Sequence, residues 1–535
     1  MKVVIFGGSG VFGQRMAELL LRDGHDVIIA GRTRPALEKV AGKLGCTSVV
    51  ADRQADMEAV WRENPEVLVD AAGPFHGYGA DPYQLPRAAI DRGIHYFDLA
   101  DDADFCSGIK SLDVQARAAG LVCYSGMSSV PAISSSVVSH LAQGDPIDAI
   151  ETAILPGNRA PRGQAVVDSI LHQAGTMFPV SVDGRSLTVQ SWSRSRRFDL
   201  GQKITRRGFM IRVPDHDLFP DVFAARSTLF WAGLEVGVMN HGLALFARLR
   251  RHMGFGMPSW LTRLVRRLAD WMYWMGTDTG GMWVQVTVST PQGARARLWR
   301  LVAGDGHGPY IPTVAVRAAL RRLEQLPKGA GPALSLLSVT EIEAACGDLA
   351  VTTDRSERAA EPLFVRYLGE AFIKLAPSVR AAHLTYGPRN WMGKSTVSRG
   401  NSIWARILAA LFRFPPAGHD VPVQVIMWPR DGKEVWERRF GAHGFRSELS
   451  MKGRTMTERF GPFVFALGLN VSQGRLSYPV TGGWFLGIPM PKIFLPTSEA
   501  VEEQIDGRFH FDVTLRAPLT RALVVRYKGW LERGK

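Results

Sequence analysis

Gly8, Gly10 and Gly13 stand in the spacing G-x-G-x-x-G, in VVIFGGSGVFGQRMAELLLR. That spacing suits one piece of chemistry, the holding of a pyrophosphate against the main chain. The first glycine permits a tight turn. The second lets the backbone approach the phosphates with no Cβ in the way, and the third lets a helix lie close to the preceding strand. The helix N-terminus adds unpaired N–H groups and a partial positive charge. The motif alone is weak evidence, but its setting is the required one: a first strand, a loop, then a helix.

A dinucleotide site has a second test at the end of the next strand, HDVIIAGRTR. An acid there hydrogen-bonds the ribose 2′-OH of NAD, whereas an arginine accommodates the extra phosphate of NADP. Here Gly31 is followed by Arg32, 19 residues after Gly13, with Arg34 two further on. A guanidinium forks onto a phosphate, and an acid would repel one. NADP(H) is therefore favoured over NAD(H). The alternative is that Arg32 stacks on the adenine and selects neither. CTSVVADR ends a third strand at Asp52, where an acid can contact the adenine. EVLVDAAGPF is a fourth strand, and its exit, Ala72, Gly73, Pro74 and Phe75, is small and then kinked. Such backbone suits the ribose and nicotinamide.

Hydride chemistry on a carbonyl or imine also needs a proton donor. His76, Tyr78, Tyr96, Asp98 and Asp101 are candidates. Asp98 and Asp101 flank a strand end, where ligands gather in doubly wound sheets, but an N-cap role is the stronger expectation for both. No Tyr-x-x-x-Lys pair follows the fourth strand, so a short-chain dehydrogenase mechanism is disfavoured. His307, in the glycine-rich loop GDGHGPYIPT, reads as a solvated histidine before it reads as an acid. No catalytic residue is assigned.

The elements that must position these groups are legible in outline. Residues 2–6 are β-branched or aromatic with little alternation, as in a strand buried on both faces. Residues 11–22 place Val11, Met16, Leu19 and Leu20 at helical spacing. IHYFDLADD and GLVCYSGMSSVPAISS add a fifth and a sixth strand. This alternation predicts an α/β fold: a Rossmann-type doubly wound parallel sheet over 1–130. An α+β second domain is expected over 131–350, with an apolar helical insertion at about 204–276, and a β-rich antiparallel domain over 360–535. Within the insertion, TLFWAGLEVGVMNHGLALFARLRR is too polar for a membrane span. The segment 256–275 reads as an amphipathic helix, with Trp260 and Trp271 on an apolar face and Arg263, Arg266 and Arg267 largely elsewhere. Such a helix lies on an anionic membrane, covers the sheet or a homodimer partner, or walls a greasy substrate site.

A chain of 535 residues needs more than one core. Residues 1–130 carry 13 basic and 17 acidic side chains, so the net charge of +14 rests on the remainder. Lysines number 13 and arginines 51, without a clustered patch that would read nucleic acid. Cys46, Cys106, Cys123 and Cys346 are scattered, with no CxxC spacing, so neither a disulfide framework nor a metal site is expected. The first apolar run stops at Gly7, so no secretory signal is expected. A cytoplasmic protein follows, with a peripheral position at the inner face of the membrane as the alternative.

GGSGVFG, AGRT, AAGPF, YFDLADD, SGMSSVPAISS, GTDTGGMWVQV and LWRLVAGDGHGPYIPT together resemble the saccharopine dehydrogenase-like oxidoreductases, over about 1–345. The resemblance implies a nicotinamide cofactor, usually NADP(H). It places Gly8, Ser9, Gly10, Val11 and Phe12 at the phosphates, Arg32 at the adenosine end and Gly73–Phe75 near the nicotinamide. It does not imply saccharopine as substrate, since no set of basic groups for two amino-acid carboxylates is evident; many relatives act on unassigned substrates, hydrophobic or lipid-like ones among them. The remainder, from EPLFVRYLGEAFIKLAPSVRAAH through DGRFHFDVTLRAPL, is similar to the DUF4166 domain. The expected function is an NADP(H)-dependent oxidoreductase for a nonpolar or lipid-like small molecule. The alternative is a catalytically silent NADP(H)-binding scaffold or membrane-associated interaction protein.

Overall fold

The computed structural model describes all residues except 54, 56, 162–163, 254–266, 268–270 and 534–535. Two compact units divide the chain. One holds Met1–Ser181, Ser186–Val288 and Ala296–Arg358; the other holds Ala359–Lys535 and the short segments Val182–Arg185 and Ser289–Arg295.

The first unit contains a seven-stranded sheet. Its strands are β1 (Lys2–Phe6), β2 (Asp26–Gly31), β3 (Thr47–Val50), β4 (Val67–Asp70), β5 (His95–Asp98) and β6 (Val122–Ser125), with Gly329–Pro332 at one edge. The order is β3-β2-β1-β4-β5-β6 and then Gly329–Pro332, and every pairing is parallel. Val3 and Ile5 enter one apolar core while Val4 and Phe6 enter another, so both faces are covered. That accounts for an unbroken apolar β1. The edge strand GAGP comes from far beyond residue 130. It lacks an apolar run, and a Cβ on its Gly329 would stand 2.4 Å from Asp113, so close packing requires the glycine that hides the strand from sequence.

A second, mixed sheet in the same unit runs in the order Ser195–Asp199, Thr205–Met210, Ser227–Ala232, Ile147–Leu155, Gly280–Thr290, Gly293–Ala303 and Val351–Ala359. The stretch expected as a helical insertion is therefore part strand. Ser227–Ala232, carrying TLFWA, is a buried strand parallel to Ile147–Leu155, and among the described residues the longer helices of the stretch are Pro214–Phe223 and Gly237–Met253. A short apolar run has the same appearance as strand or as buried helix. Most of the expected helix 256–275 lies outside the described residues. Met272–Trp274 forms a 3-10 turn, and Trp271, Tyr273 and Trp274 are exposed. Among the described residues no helix is long and apolar enough to cross a membrane.

The second unit is built on a thirteen-stranded sheet whose pairings are antiparallel. Strands expected near 421–428, 434–440, 463–471 and 509–516 are Gly418–Arg430, Lys433–Phe440, Phe463–Leu467 and Arg508–Arg516. The amphipathic segment ahead of them breaks at Gly369, where φ is +53°. Leu363–Leu368 is α-helical and Gly369–Lys374 is a 3-10 helix.

Candidate dinucleotide site

The strand order reverses between β1 and β4, and the loops leaving those strands form the crevice where such sheets bind ligands. The β1 loop takes its shape from close contacts. Gly7, with φ +71°, makes the left-handed turn that the sequence suggested for Gly8; a Cβ on Gly7 would stand 2.7 Å from the Ala71 carbonyl oxygen at the β4 exit. A Cβ on Gly8 would meet Ile29 at 2.4 Å, and one on Gly13 would meet the Gly7 carbonyl oxygen at 2.2 Å. Gly10 differs. Its Cβ would have a single close neighbour, the Gly7 oxygen at 3.0 Å, and otherwise open space.

Gly10 is also the N-cap of α1 (Val11–Arg22), which has no side-chain cap and no acid in its first turn. The first-turn N–H groups at Val11, Phe12 and Gly13 thus point beyond the helix with no carboxylate competing for an anion. Gln14 Nε2 donates to the Ser9 carbonyl oxygen at 2.7 Å and braces the loop from inside. This cradle fits a pyrophosphate.

Arg32 follows β2 directly, is exposed, and makes no ion pair with a described residue. Arg34 opens α2 (Arg34–Leu44) and lies 3.8 Å from Glu38, one turn along the same helix. Arg32 is therefore the guanidinium available at the β2 end. Asp52 is half-buried after β3, and its carbonyl oxygen receives the Ala55 N–H.

At the β4 exit, Asp70 is fully buried. Its Oδ1 receives the Ala72 N–H at 3.0 Å and the Tyr78 hydroxyl at 3.4 Å, and its Oδ2 lies 2.8 Å from Arg53 Nη1. The Arg53 guanidinium covers the Tyr78 ring, 3.1 Å from its centroid. Ala72, Gly73 and Pro74 are half-buried. Phe75 is buried with its ring among Tyr78 and Phe105, at centroid distances of 5.0 and 5.1 Å, so this loop offers its backbone and withholds that side chain.

Asp98, at the end of β5, is the register neighbour of Asp70 and equally buried. Its Oδ1 gathers the Ala100 N–H at 2.9 Å, the Gly126 N–H at 2.8 Å and the Ser125 hydroxyl at 2.8 Å. Burial pushes its carboxyl up to about 7 against those donors, with the Asp70 charge adding to the rise. Burial also pushes Asp70 up, opposed by Arg53. One inward acid thus ties the β4 exit to Arg53 beyond β3, and the other ties the β5 exit to the end of β6.

Residues 3–123 match the family described as the saccharopine dehydrogenase NADP binding domain. The strands β1 to β6 lie within or at the edge of that match, so the N-terminal sheet is similar to an NADP-binding domain of this type. Residues 375–531 match the domain of unknown function DUF4166. Two Mycobacterium tuberculosis proteins provisionally named oxidoreductases, MT1904 of strain CDC 1551 and Rv1856c of strain H37Rv, are each 28% identical over 155 residues. The match takes in 29% of this chain and 64% of each relative, so it spans less than two thirds of their length. Among solved structures, saccharopine dehydrogenase (L-Glu forming) of Saccharomyces cerevisiae aligns with 67% of this chain and all of its own, at 13% identity and a TM-score of 0.49.

Tyr96 is fully buried, and burial raises its hydroxyl well above the usual range, which keeps it protonated. Tyr78 is tied to Asp70. His76 is exposed and stacks on His172 with centroids 4.8 Å apart and planes at 14°. Asp101 is exposed. The N-cap expected of Asp98 or Asp101 belongs to Asp102, whose carboxylate accepts the Phe105 N–H at 2.9 Å. Two residues separate Asp102 from the third helical N–H, which donates to it, the geometry that Asp98 and Asp101 lack. His307 is structural: its Nδ1 accepts the Ala350 N–H at 2.9 Å. Sequence reasoning missed the Arg53–Asp70 pair. The available signal was an acid closing the apolar run VLV, since a buried carboxylate needs a partner.

Proposed function

We propose that the protein is an NADP(H)-dependent oxidoreductase acting on a nonpolar or lipid-like small molecule. The observation carrying the cofactor half is the open Gly10 cradle at the crevice, with Arg32 and no acid at the end of β2. When bound, NADP(H) would supply or accept the hydride. The chain's residues would bind and orient it: the first-turn N–H groups of α1 would hold the pyrophosphate, and Arg32 would hold the 2′-phosphate. Asp70 and Asp98 hold the loops on which the nicotinamide end depends.

The nonpolar substrate is supported by the state of nearby arginines. Arg53 is paired with Asp70, and Arg212 lies 2.9 Å from Asp104 and 2.7 Å from Asp217. Neither is available to a substrate carboxylate without leaving a partner behind. The domain organisation follows the same reading. An NADP-binding domain to about residue 130 is completed by the strand Gly329–Pro332, a second domain extends to about 350, and the DUF4166-like domain follows from about 360. Peripheral membrane contact through 256–275 is supported by the exposure of Trp271 and Trp274, 69% and 65%.

The test is turnover. NADPH oxidation and NADP+ reduction would be followed across a panel of long-chain aldehydes, ketones and polar amino-acid-derived imines, alongside mass spectrometry of small molecules retained on purification. Turnover confined to the apolar members is expected. Tight NADPH binding with no turnover on any member would favour the scaffold reading.

A further inference from the structure

The second unit holds a cavity of about 180 Å³. Alternate residues of its strands line it, among them Val423, Val425 and Met427 on one strand and Phe509, Phe511 and Val513 on another. Strands from both halves of the sheet order contribute, so the sheet curls around the space. Such a wall suits hydrocarbon.

Of the charged groups in the wall, Arg438, Glu458 and Glu502 already have polar or charged partners, while the half-buried Arg516 donates to the Arg521 carbonyl oxygen at 3.5 Å. Arg438 Nη2 lies 3.2 Å from Glu458, and Arg438 Nη1 donates to Ser447 Oγ at 2.7 Å. Glu502 receives the Tyr478 hydroxyl at 2.7 Å and pairs with the His383 ring. A charge brought among them would lose its hydration and find its counter-charges taken. The part of a ligand that lodges among Arg438, Glu458 and Glu502 is therefore uncharged.

A polar end has a different place to go. Phe412, Phe460 and Phe463 line both the cavity and an adjoining depression, whose wall includes Arg413, Arg439 and Arg446 with one acid, Glu437. All three arginines are exposed. The segments that reach the cavity at Leu408 and Phe494 also carry exposed apolar side chains, including Trp404, Ile407, Leu411 and Ile488. We propose that the second unit binds a single-chain anionic amphiphile, its hydrocarbon in the cavity and its carboxylate or phosphate head against Arg413, Arg439 and Arg446. This site is independent of the NADP-binding reading.

The test uses the full chain and the fluorescent probe 11-(dansylamino)undecanoic acid. Probe binding is expected, with displacement by hexadecanoate or hexadecyl phosphate, whichever displaces more strongly naming the head. Hexadecanol should compete about tenfold more weakly, having lost the charge-assisted hydrogen bonds, and inorganic phosphate alone should not displace the probe. Ala500→Trp, which fills the cavity, should abolish binding, and the double variant R439E/R446E should weaken it about tenfold while keeping the native circular dichroism. Absence of probe binding would overturn the proposal, as would displacement by phosphate alone or by hexadecanol as strongly as by hexadecanoate. If Ala500→Trp fails to fold, the double variant decides, and unchanged affinity in it overturns the proposal.

Discussion

Asp98→Asn should change how stability depends on pH. In the fold the Asp98 carboxyl titrates at about 7, raised first by burial. In the unfolded chain it titrates at about 3.9. The folded state therefore binds a proton that the unfolded state releases, and stability falls as pH rises between those two values. About three pH units at about 1.4 kcal/mol each give a loss of about 4 kcal/mol from this one group. Asparagine keeps an oxygen for Ala100, Gly126 and Ser125, and it has no proton to lose. Its NH2 takes the place of Oδ2, which has no hydrogen-bond partner, at a cost of about 1–3 kcal/mol. The variant should be the less stable protein at pH 4.5 and should gain steadily on the parent up to pH 8. Urea midpoints at half-unit steps would show the crossing. Asp215, pushed up to about 8, and His216, pushed down to about 3, act in both proteins and cancel in the difference. Parallel profiles for parent and variant would refute the reasoning.

Gly10→Val should abolish cofactor binding and leave the fold intact, because its side chain enters the open cradle; near-normal NADPH affinity, read by tryptophan fluorescence, would make the loop a mere turn. Arg53→Met should cost about 3–5 kcal/mol at pH 8 by stranding the Asp70 charge, and less at pH 5, where Asp70 takes up a proton more readily. Urea denaturation at the two pH values measures this, and an equal cost at both would contradict it. The protein should sediment with anionic vesicles at low salt and not with neutral ones, since three arginines in 256–275 contribute about 1 kcal/mol each. Sedimentation indifferent to salt and lipid charge would count against that surface.

The first sheet was legible because its signals are local. β1 is uniformly apolar, the glycine spacing is rigid, and Arg32 follows β2 by a fixed count. Asymmetry between Gly7 and Gly8 was not, since it depends on Ala71 and Ile29, which reach the loop from other strands. Asp98 reads as a cap in sequence and proves a buried tie because Ser125 and Gly126 come to it from β6. GAGP has no pattern of its own and becomes a strand through β6. In the second unit the alternation in FHFDVTLR marked a strand with one apolar side, while the cavity it faces arises only when the sheet curls.

Selection of NADP(H) by Arg32 is read from paired titrations. Parent and Arg32→Ala proteins would each be titrated with NADPH and NADH by intrinsic tryptophan fluorescence. The parent should bind NADPH more tightly, and the variant should lose about 1.5–3 kcal/mol toward NADPH with little change toward NADH, the loss expected for hydrogen bonds to a charged group. Equal affinities in the parent, or a preference that survives in Arg32→Ala, would contradict the account.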